Sequence, residues 1–161
     1  MVKEKVAIAH TTSDIGGPGS YSREQLDIVK DMIRQVAEGS MGGMDKIVKE
    51  GDKVLIKINT VVPSPPENGF TTDPRVLEAL IELIKEQNPS KIQIGERCAQ
   101  GADTMKAMIE CGIKDVADRT GAELVPFDNV PFEMFKIDKP VSFNEFPVPK
   151  PILDADVYIG L

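Results

Sequence analysis

The sequence predicts a three-layer α/β fold, in which a mostly parallel sheet carries helices on both faces. Apolar runs of strand length alternate along the chain with amphipathic stretches of helical period. The runs KVLIKI and KIQIG are rich in Ile and Val, which is typical of strands buried on both faces. With 161 residues, the chain is expected to form a single domain over residues 1–161.

Five segments are predicted to be strands of one sheet. Each is a short apolar run bounded by charged or turn-forming residues. The predicted strands are residues 6–9, 54–58, 92–95, 124–127 and 157–160.

The helices between these strands follow from apolar spacing and from start and stop signals. Ser22 and Gln25 form a capping box ahead of the first helix. Pro74 suits the first turn of a later helix, and Asn88-Pro89 ends it. The first helix is predicted over residues 23–38, and further helices are predicted over residues 44–50, 103–110 and 113–119.

The segment 129–151 departs from this alternation. It is rich in Pro and Phe and contains short alternating stretches near 132–137 and 146–148. We interpret it as an excursion from the main unit, formed by a short antiparallel hairpin.

The last apolar run, 157–161, is followed by no helical segment. In a parallel sheet a covering helix is expected after such a strand. The pattern therefore favours an N-terminal fragment of a longer protein, and a natural terminal edge strand is the alternative. A fragment would leave apolar surface uncovered, so we expect a homo-oligomer formed through that surface.

The charge of the chain excludes several classes of partner. The net charge is -7, which argues against a nucleic acid and against an anionic membrane, since both attract basic surfaces. The first ten residues lack the features of a signal peptide, and no apolar run is long enough to span a bilayer. The expected location is the cytoplasm.

The metal-ligating residue types are few. Cys98 and Cys111 are the only cysteines, His10 is the only histidine, and no CxxC motif occurs. We expect two free thiols, because cytosolic cysteines stay reduced. No metal site and no cofactor are predicted within these 161 residues.

A candidate site is predicted where the carboxyl ends of the strands share an edge of the sheet, since open α/β sheets bind ligands there. The expected ligand is a small anionic molecule, held near the positive end of the helix that Pro74 opens. Glu96 and His10 are the candidate acid–base groups. The proposed ligand-binding residues are Thr11, Lys57, Asn59, Thr60, Thr71 and Thr72, and Thr12, Arg97, Asp128 and Asn129 lie at the same edge. The simpler interpretation is that polar residues end strands in most α/β proteins.

Two details of this edge stay open. The Gly-rich segment 16–20 could bind a phosphate through its backbone, or it could be a flexible, lid-like loop, because its spacing fits neither common phosphate motif. Lys57 could contact an anion or point to solvent at the end of its strand.

The stretch VLIKINTVVP, together with GFTTDPRVLEALIEL, resembles the family called domain of unknown function 362. That family typically has a strand ending in Lys-Pro-Asn and a helix opened by Thr-Thr-x-Pro. Here residues 57–59 read Lys-Ile-Asn and residues 71–74 read Thr-Thr-Asp-Pro. Residues 92–96 resemble the next strand, with Glu96 in place of the usual Asp.

The resemblance implies an α/β domain and, in many relatives, a ferredoxin-like iron–sulfur segment further along the chain. Such a cluster would lie in a C-terminal part beyond Leu161, because no CxxCxxC run occurs here. Two hypotheses follow. The chain is a small-anion-binding domain of a redox-linked protein, or it is a non-catalytic binding or scaffold domain that positions the iron–sulfur module.

Overall fold

The computed structural model describes residues 5–99 and 101–161 of the chain. The helices are α1 (Arg23–Met41), α2 (Pro74–Lys85), α3 (Thr104–Glu110), α4 (Ile113–Thr120) and α5 (Lys150–Leu153). The strands are β1 (Lys53–Lys57), β2 (Lys91–Glu96), β3 (Glu123–Pro126), β4 (Phe132–Lys136), β5 (Glu145–Pro149) and β6 (Val157–Gly160).

The central sheet has four parallel strands in the order β3-β2-β1-β6. Ile56 at the middle of β1 lies opposite Ile94 of β2 on one side and Ile159 of β6 on the other. Because β1 is paired on both sides, its three central residues are fully buried. The mostly parallel α/β sheet predicted from the sequence is confirmed.

Helices cover both faces of the sheet. On one face, Val54, Ile56 and Ile58 pack in a single core with residues of α2, α3 and α4. On the other face, Leu55 packs with Phe127, and Ile152 of α5 covers them. Alternate residues of β1 thus pack against opposite layers, because successive side chains of a strand point to opposite faces of the sheet.

The predicted capping box at the start of α1 is present. Ser22 Oγ accepts a hydrogen bond from the Gln25 backbone N–H at 3.2 Å, and Gln25 Oε1 accepts one from the Ser22 N–H at 2.8 Å. The helix ends at Gly42, whose φ of 86° is the left-handed conformation that glycine adopts readily. Leu26 and Val29 bury the inner face of α1 against Ala79 of α2.

The predicted strand at residues 6–9 is wrong. Val6 and Ile8 have 86% and 89% of their surface exposed, and the segment pairs with no strand among the described residues. Ala7 lies instead beside Gly39 near the end of α1. An apolar run indicates only a preference for extended backbone, and a strand also needs a neighbour at the sheet edge. His10 therefore does not follow a strand end.

The predicted short helix 44–50 forms only a single 3₁₀ turn, Met44–Lys46. The Asp52 carboxylate accepts a hydrogen bond from the Lys49 backbone N–H at 2.7 Å, which turns the chain toward β1. This side-chain bond competes with continuation of the helix.

The Pro- and Phe-rich segment forms the antiparallel pair β4–β5, separate from the central sheet. Phe135 and Phe146 face each other across the pair, with their ring centroids 6.1 Å apart. All residues of β4 are exposed, so the hairpin presents apolar surface.

Cys98 and Cys111 are free thiols, as expected, and both are buried. Burial raises the pKa of Cys111 from its usual 9.0 to about 11. Because the pKa of Cys111 is higher in the folded chain, the unfolded chain loses the thiol proton at a lower pH. The stability that the protonated Cys111 thiol contributes is therefore lost as the pH rises from about 9 to about 11.

We therefore expect Cys111 to react with iodoacetamide at pH 8 only as fast as the chain opens, because a buried neutral thiol is inert. Mass spectrometry of the labelled peptide, with a urea-unfolded sample as the control, measures this rate. Rapid labelling of Cys111 under native conditions would contradict the burial seen here.

Candidate functional site

The direction of winding reverses at β1. The chain passes from β1 to β2 to β3 on one side of β1 and then returns to place β6 on the other side. In open α/β sheets this reversal leaves a crevice at the carboxyl ends of the two strands, where ligands bind. By this rule the crevice of this sheet is expected between the ends of β1 and β6, beside Asn59 and Leu161.

Glu96, at the end of β2, has a buried carboxylate whose two oxygens are both bonded. Oε2 accepts hydrogen bonds from Lys57 Nζ at 3.0 Å and from the Thr60 backbone N–H at 3.1 Å. Oε1 accepts one from the Arg97 N–H at 2.7 Å. Glu96 thus fastens the loop after β1 to the end of β2.

Asn59 and Thr72 form the wall of the crevice on the β1 side. The Thr72 N–H donates to the Asn59 carbonyl at 2.7 Å, and the Asn59 N–H donates to Thr72 Oγ1 at 2.8 Å. Asn59 Nδ2 also donates to the Phe70 carbonyl at 3.0 Å. The Leu161 N–H donates to the Lys57 carbonyl at 2.9 Å, which continues the pairing of β6 with β1.

Thr71 carries an orphaned hydroxyl. Its Oγ1 is buried and, within residues 5–99 and 101–161, is the one buried side-chain polar atom without a hydrogen-bond partner. The residue is held by a bridge to Thr60, which is itself buried at the end of β1. Such groups are rare in native structures, because leaving one unsatisfied costs about 1–3 kcal/mol.

The amino end of α2 is less open to an anion than the sequence predicts. Pro74 has no N–H, and the Asp73 carboxylate accepts the Arg75 N–H at 2.9 Å. The Arg75 side chain pairs with Asp73 at 2.5 Å and also donates to the carbonyl of Ile15. The first free donors are therefore occupied by the capping side chain.

Lys57 retains a spare donor. Its ammonium donates to Glu96 and, at 2.8 Å, to the Ile58 carbonyl. An ammonium has three N–H groups, so one is left, and the side chain is 38% exposed. Lys57 is bound to the protein and open to solvent at once.

The structure brings together six of the eight predicted site residues: Lys57, Asn59, Thr60, Thr71, Thr72 and Glu96. His10 is exposed, and Thr11 Oγ1 accepts a hydrogen bond from the Ser13 N–H at 3.1 Å. No hydrogen bond among the described residues ties His10 or Thr11 to the crevice.

The sequence did not indicate the buried polar network beside Glu96. Cys98 Sγ donates to the Thr60 carbonyl at 2.7 Å, and the Cys98 N–H donates to Thr104 Oγ1 at 3.1 Å. The Thr104 hydroxyl in turn donates to Asp128. Only the position of Asp128 after a strand could have signalled it, because the other members meet through the fold.

Over the described part of the chain, no group of three or more His, Cys, Asp or Glu side chains is placed to hold a metal ion. The two thiols lie in separate surroundings, with Cys111 bonded to the Met108 carbonyl and Cys98 to Thr60. The residues present do not fit an iron–sulfur cluster, which needs several cysteine ligands.

A family model described as domain of unknown function (DUF362) matches residues 54–161. The chain belongs to this family. The match begins inside β1 and includes the whole crevice, whereas α1 precedes it. The DUF362 chain is also 30% identical over 126 residues to a thylakoid-associated protein of Synechocystis sp..

This alignment covers 75% of the DUF362 chain and 36% of the relative. The chain therefore spans about a third of the length of the curated relative it matches. No solved structure matches it. Among the described residues, the DUF362 chain has no helix long and apolar enough to cross a membrane.

Proposed function

We propose that this DUF362 domain binds a small anionic molecule in the crevice between β1 and β6. The observation that carries the proposal is the Thr71 hydroxyl, which is buried beside Thr60 after the end of β1 and has no partner among the described residues. A bound oxygen atom would accept that hydrogen and remove the cost of the orphaned group.

The charge at the crevice supports an anion. Lys57 has one N–H free of protein partners and lies at the edge of the crevice. Glu96 is fully bonded, so we propose that it orients Lys57 and the Thr60 backbone. The acid–base roles expected for Glu96 and His10 stay predictions, and the binding proposal does not depend on them.

We propose that any iron–sulfur link depends on a group outside these residues. The described thiols and carboxylates do not fit a cluster, and relatives such as the Synechocystis protein extend well beyond the matched length. A redox module would then be supplied by another segment or by a partner. The cytoplasmic location also stays a prediction.

A second candidate function is a scaffold that positions such a module without catalysis. The exposed apolar side chains of the β4–β5 pair favour it, because a large uncovered apolar surface marks a contact site. Val141, Phe143 and Met134 are 101%, 74% and 57% exposed. The homo-oligomer is proposed through a different surface, beside residues 157–161, where Tyr158 and Leu161 are 50% and 37% exposed.

The anion proposal predicts an unusual effect for Thr71→Val. Removing the orphaned hydroxyl should raise the free energy of unfolding by about 1 kcal/mol. The same change should weaken phosphate binding about fivefold, since one hydrogen bond to the anion is lost. Urea denaturation measures the first effect, and ¹H–¹⁵N NMR titration with inorganic phosphate measures the second.

Thr104→Val is the matched control. Thr104 is 2% exposed and, unlike that of Thr71, its hydroxyl has protein partners: it accepts from the Cys98 N–H and donates to Asp128. We expect this variant to lose about 1–2 kcal/mol of stability. A Thr71→Val protein that is clearly destabilised, or that binds phosphate as the unsubstituted protein does, would refute the proposal.

A further inference from the structure

A cavity of about 460 Å³ lies away from the crevice, where the amino end of α1 meets α2 and α4. One wall is the Gly-rich turn, represented by Pro18 and Gly19, and another is the first turn of α1. This volume is within the range of small-molecule sites. The crevice residues do not line it.

A Tyr–Glu–Arg cluster forms the floor of this cavity. The Tyr21 hydroxyl donates to Glu78 Oε2 at 2.5 Å, and Arg119 Nη2 donates to the same oxygen at 2.6 Å. Arg119 Nε donates to Glu78 as well, at 3.2 Å, and the guanidinium lies 5.8 Å from the centroid of the Tyr21 ring. Burial and the Glu78 carboxylate raise the pKa of Tyr21, so the phenol stays a donor.

This geometry fixes Arg119 but leaves part of it unused. The Nε and Nη2 groups are bonded to Glu78 and to the Tyr21 hydroxyl at 2.8 Å. Among the described residues Nη1 has no partner, so two N–H donors are left on a side chain that lines the cavity. Glu78 is 7% exposed, so Arg119 rather than water balances its negative charge.

Asp115 supplies the opposite charge. It lies one helical turn before Arg119 on α4 and lines the same cavity. An i,i+4 pair could form between them, but Arg119 is turned toward Glu78, and the described residues offer Asp115 no ion pair. By contrast, Arg23 at the rim is already bonded to Asp27 and Glu82.

The lining also has a small apolar part. Leu26 of α1 and Pro74 at the start of α2 line the cavity between polar groups such as Ser20 and Ser22. Both apolar residues are mostly buried, with Leu26 at 3% exposure. Besides the bonded Arg23 and Glu78, the cavity therefore offers the spare donors of Arg119, the carboxylate of Asp115 and a small apolar contact.

From this arrangement we infer that the cavity binds a small zwitterion of the amino-acid class with an apolar side chain. Its carboxylate accepts from Arg119 Nη1, its ammonium donates to Asp115, and its side chain packs on Leu26 and Pro74. The carboxylate contact uses the N–H groups left on Nη1, because Nε and Nη2 are already bonded. This site is independent of the crevice, so either proposal can fail alone.

Tyr21 is a built-in reporter for this binding. The chain has no Trp and two Tyr, so Tyr158→Phe leaves Tyr21 as the sole emitter in the described fold. In that background, L-leucine should change the tyrosine fluorescence saturably. Leucinamide, which lacks the carboxylate, and N-acetyl-leucine, which lacks the ammonium, should each bind about tenfold more weakly, as expected for loss of one charged hydrogen bond.

Two variants test which side chain binds the carboxylate and which binds the ammonium. Arg119→Lys keeps a cation beside Glu78 but loses the spare guanidinium nitrogen, and it should weaken leucine binding about tenfold. Asp115→Asn removes the proposed partner of the ammonium, so it should reduce the preference for leucine over N-acetyl-leucine. The preference for leucine over leucinamide should stay unchanged, because that preference depends on Arg119. Arg97→Lys is the control, because Arg97 also pairs with an aspartate and stacks on a ring, 6.0 Å from the Phe132 centroid, without lining the cavity.

The inference is overturned if the Tyr21 reporter shows no saturable response to leucine. It is also overturned if leucinamide or N-acetyl-leucine binds as tightly as leucine to the protein with an unsubstituted cavity. The same holds if Arg97→Lys weakens leucine binding as much as Arg119→Lys does. None of these outcomes depends on phosphate binding at the crevice.

Discussion

Replacing Glu96 with alanine is expected to lower the free energy of unfolding by about 3 kcal/mol, because a buried carboxylate that accepts three hydrogen bonds is removed. The carboxylate is the acceptor for Lys57, for the Thr60 N–H and for the Arg97 N–H. Thr60 is 1% exposed, so water has little access to its freed N–H. Glu96→Gln should also lower the free energy of unfolding, because the NH₂ group of the glutamine amide would face one of these N–H donors.

Urea denaturation of Glu96→Ala beside Glu123→Ala tests this expectation. Glu123 pairs with Lys91 at 2.6 Å, but both side chains are about half exposed, and such surface pairs contribute about 0.2–1 kcal/mol. If the two variants lose equal stability, Glu96 does not fasten the end of β2 to the loop after β1.

Replacing Gly95 with alanine is expected to cost about 2–3 kcal/mol through overpacking. A Cβ at this position would overlap the Phe127 ring and lie 3.1 Å from Leu55 Cδ1. Phe127 and Leu55 are 4% and 0% exposed, so neither side chain has room to withdraw. The close approach of the ring to the β2 backbone requires glycine.

Gly160→Ala is the matched control in the same sheet, because nothing lies within 4 Å of a Cβ built there. Its stability should stay within about 0.5 kcal/mol of the unsubstituted protein. The double variant Gly95→Ala, Phe127→Leu should recover part of the loss, since contacting residues are coupled. Full additivity in thermal or urea unfolding would show that the Phe127 ring is not the cause.

Most of the architecture was predictable because it depends on local pattern. The 3.6-residue period of α1, the Ser22–Gln25 capping box and the position of Pro74 are properties of neighbouring residues. The Ile- and Val-rich runs likewise predicted β1 and β2. The strand expected at 6–9 failed because pairing needs a partner strand, which no local pattern supplies.

The candidate site was predictable in part. The rule that ligands bind at the carboxyl edge of a parallel sheet brought Lys57, Asn59 and Glu96 together. It could not show that Asp73 occupies the amino end of α2, because that depends on a side-chain rotamer. Nor could it place His10, whose segment pairs with no described strand.

Neighbouring residues are enough to specify the fold class, the helices with clear start signals and the edge of the sheet that carries the polar residues. Local spacing and turn chemistry contain that information. They do not specify that Thr71 Oγ1 is left without a partner among the described residues or that Arg119 turns from Asp115 to Glu78. These features come from contacts between residues distant in the chain, such as the 41 positions that separate Glu78 from Arg119, and burial makes each unsatisfied group costly.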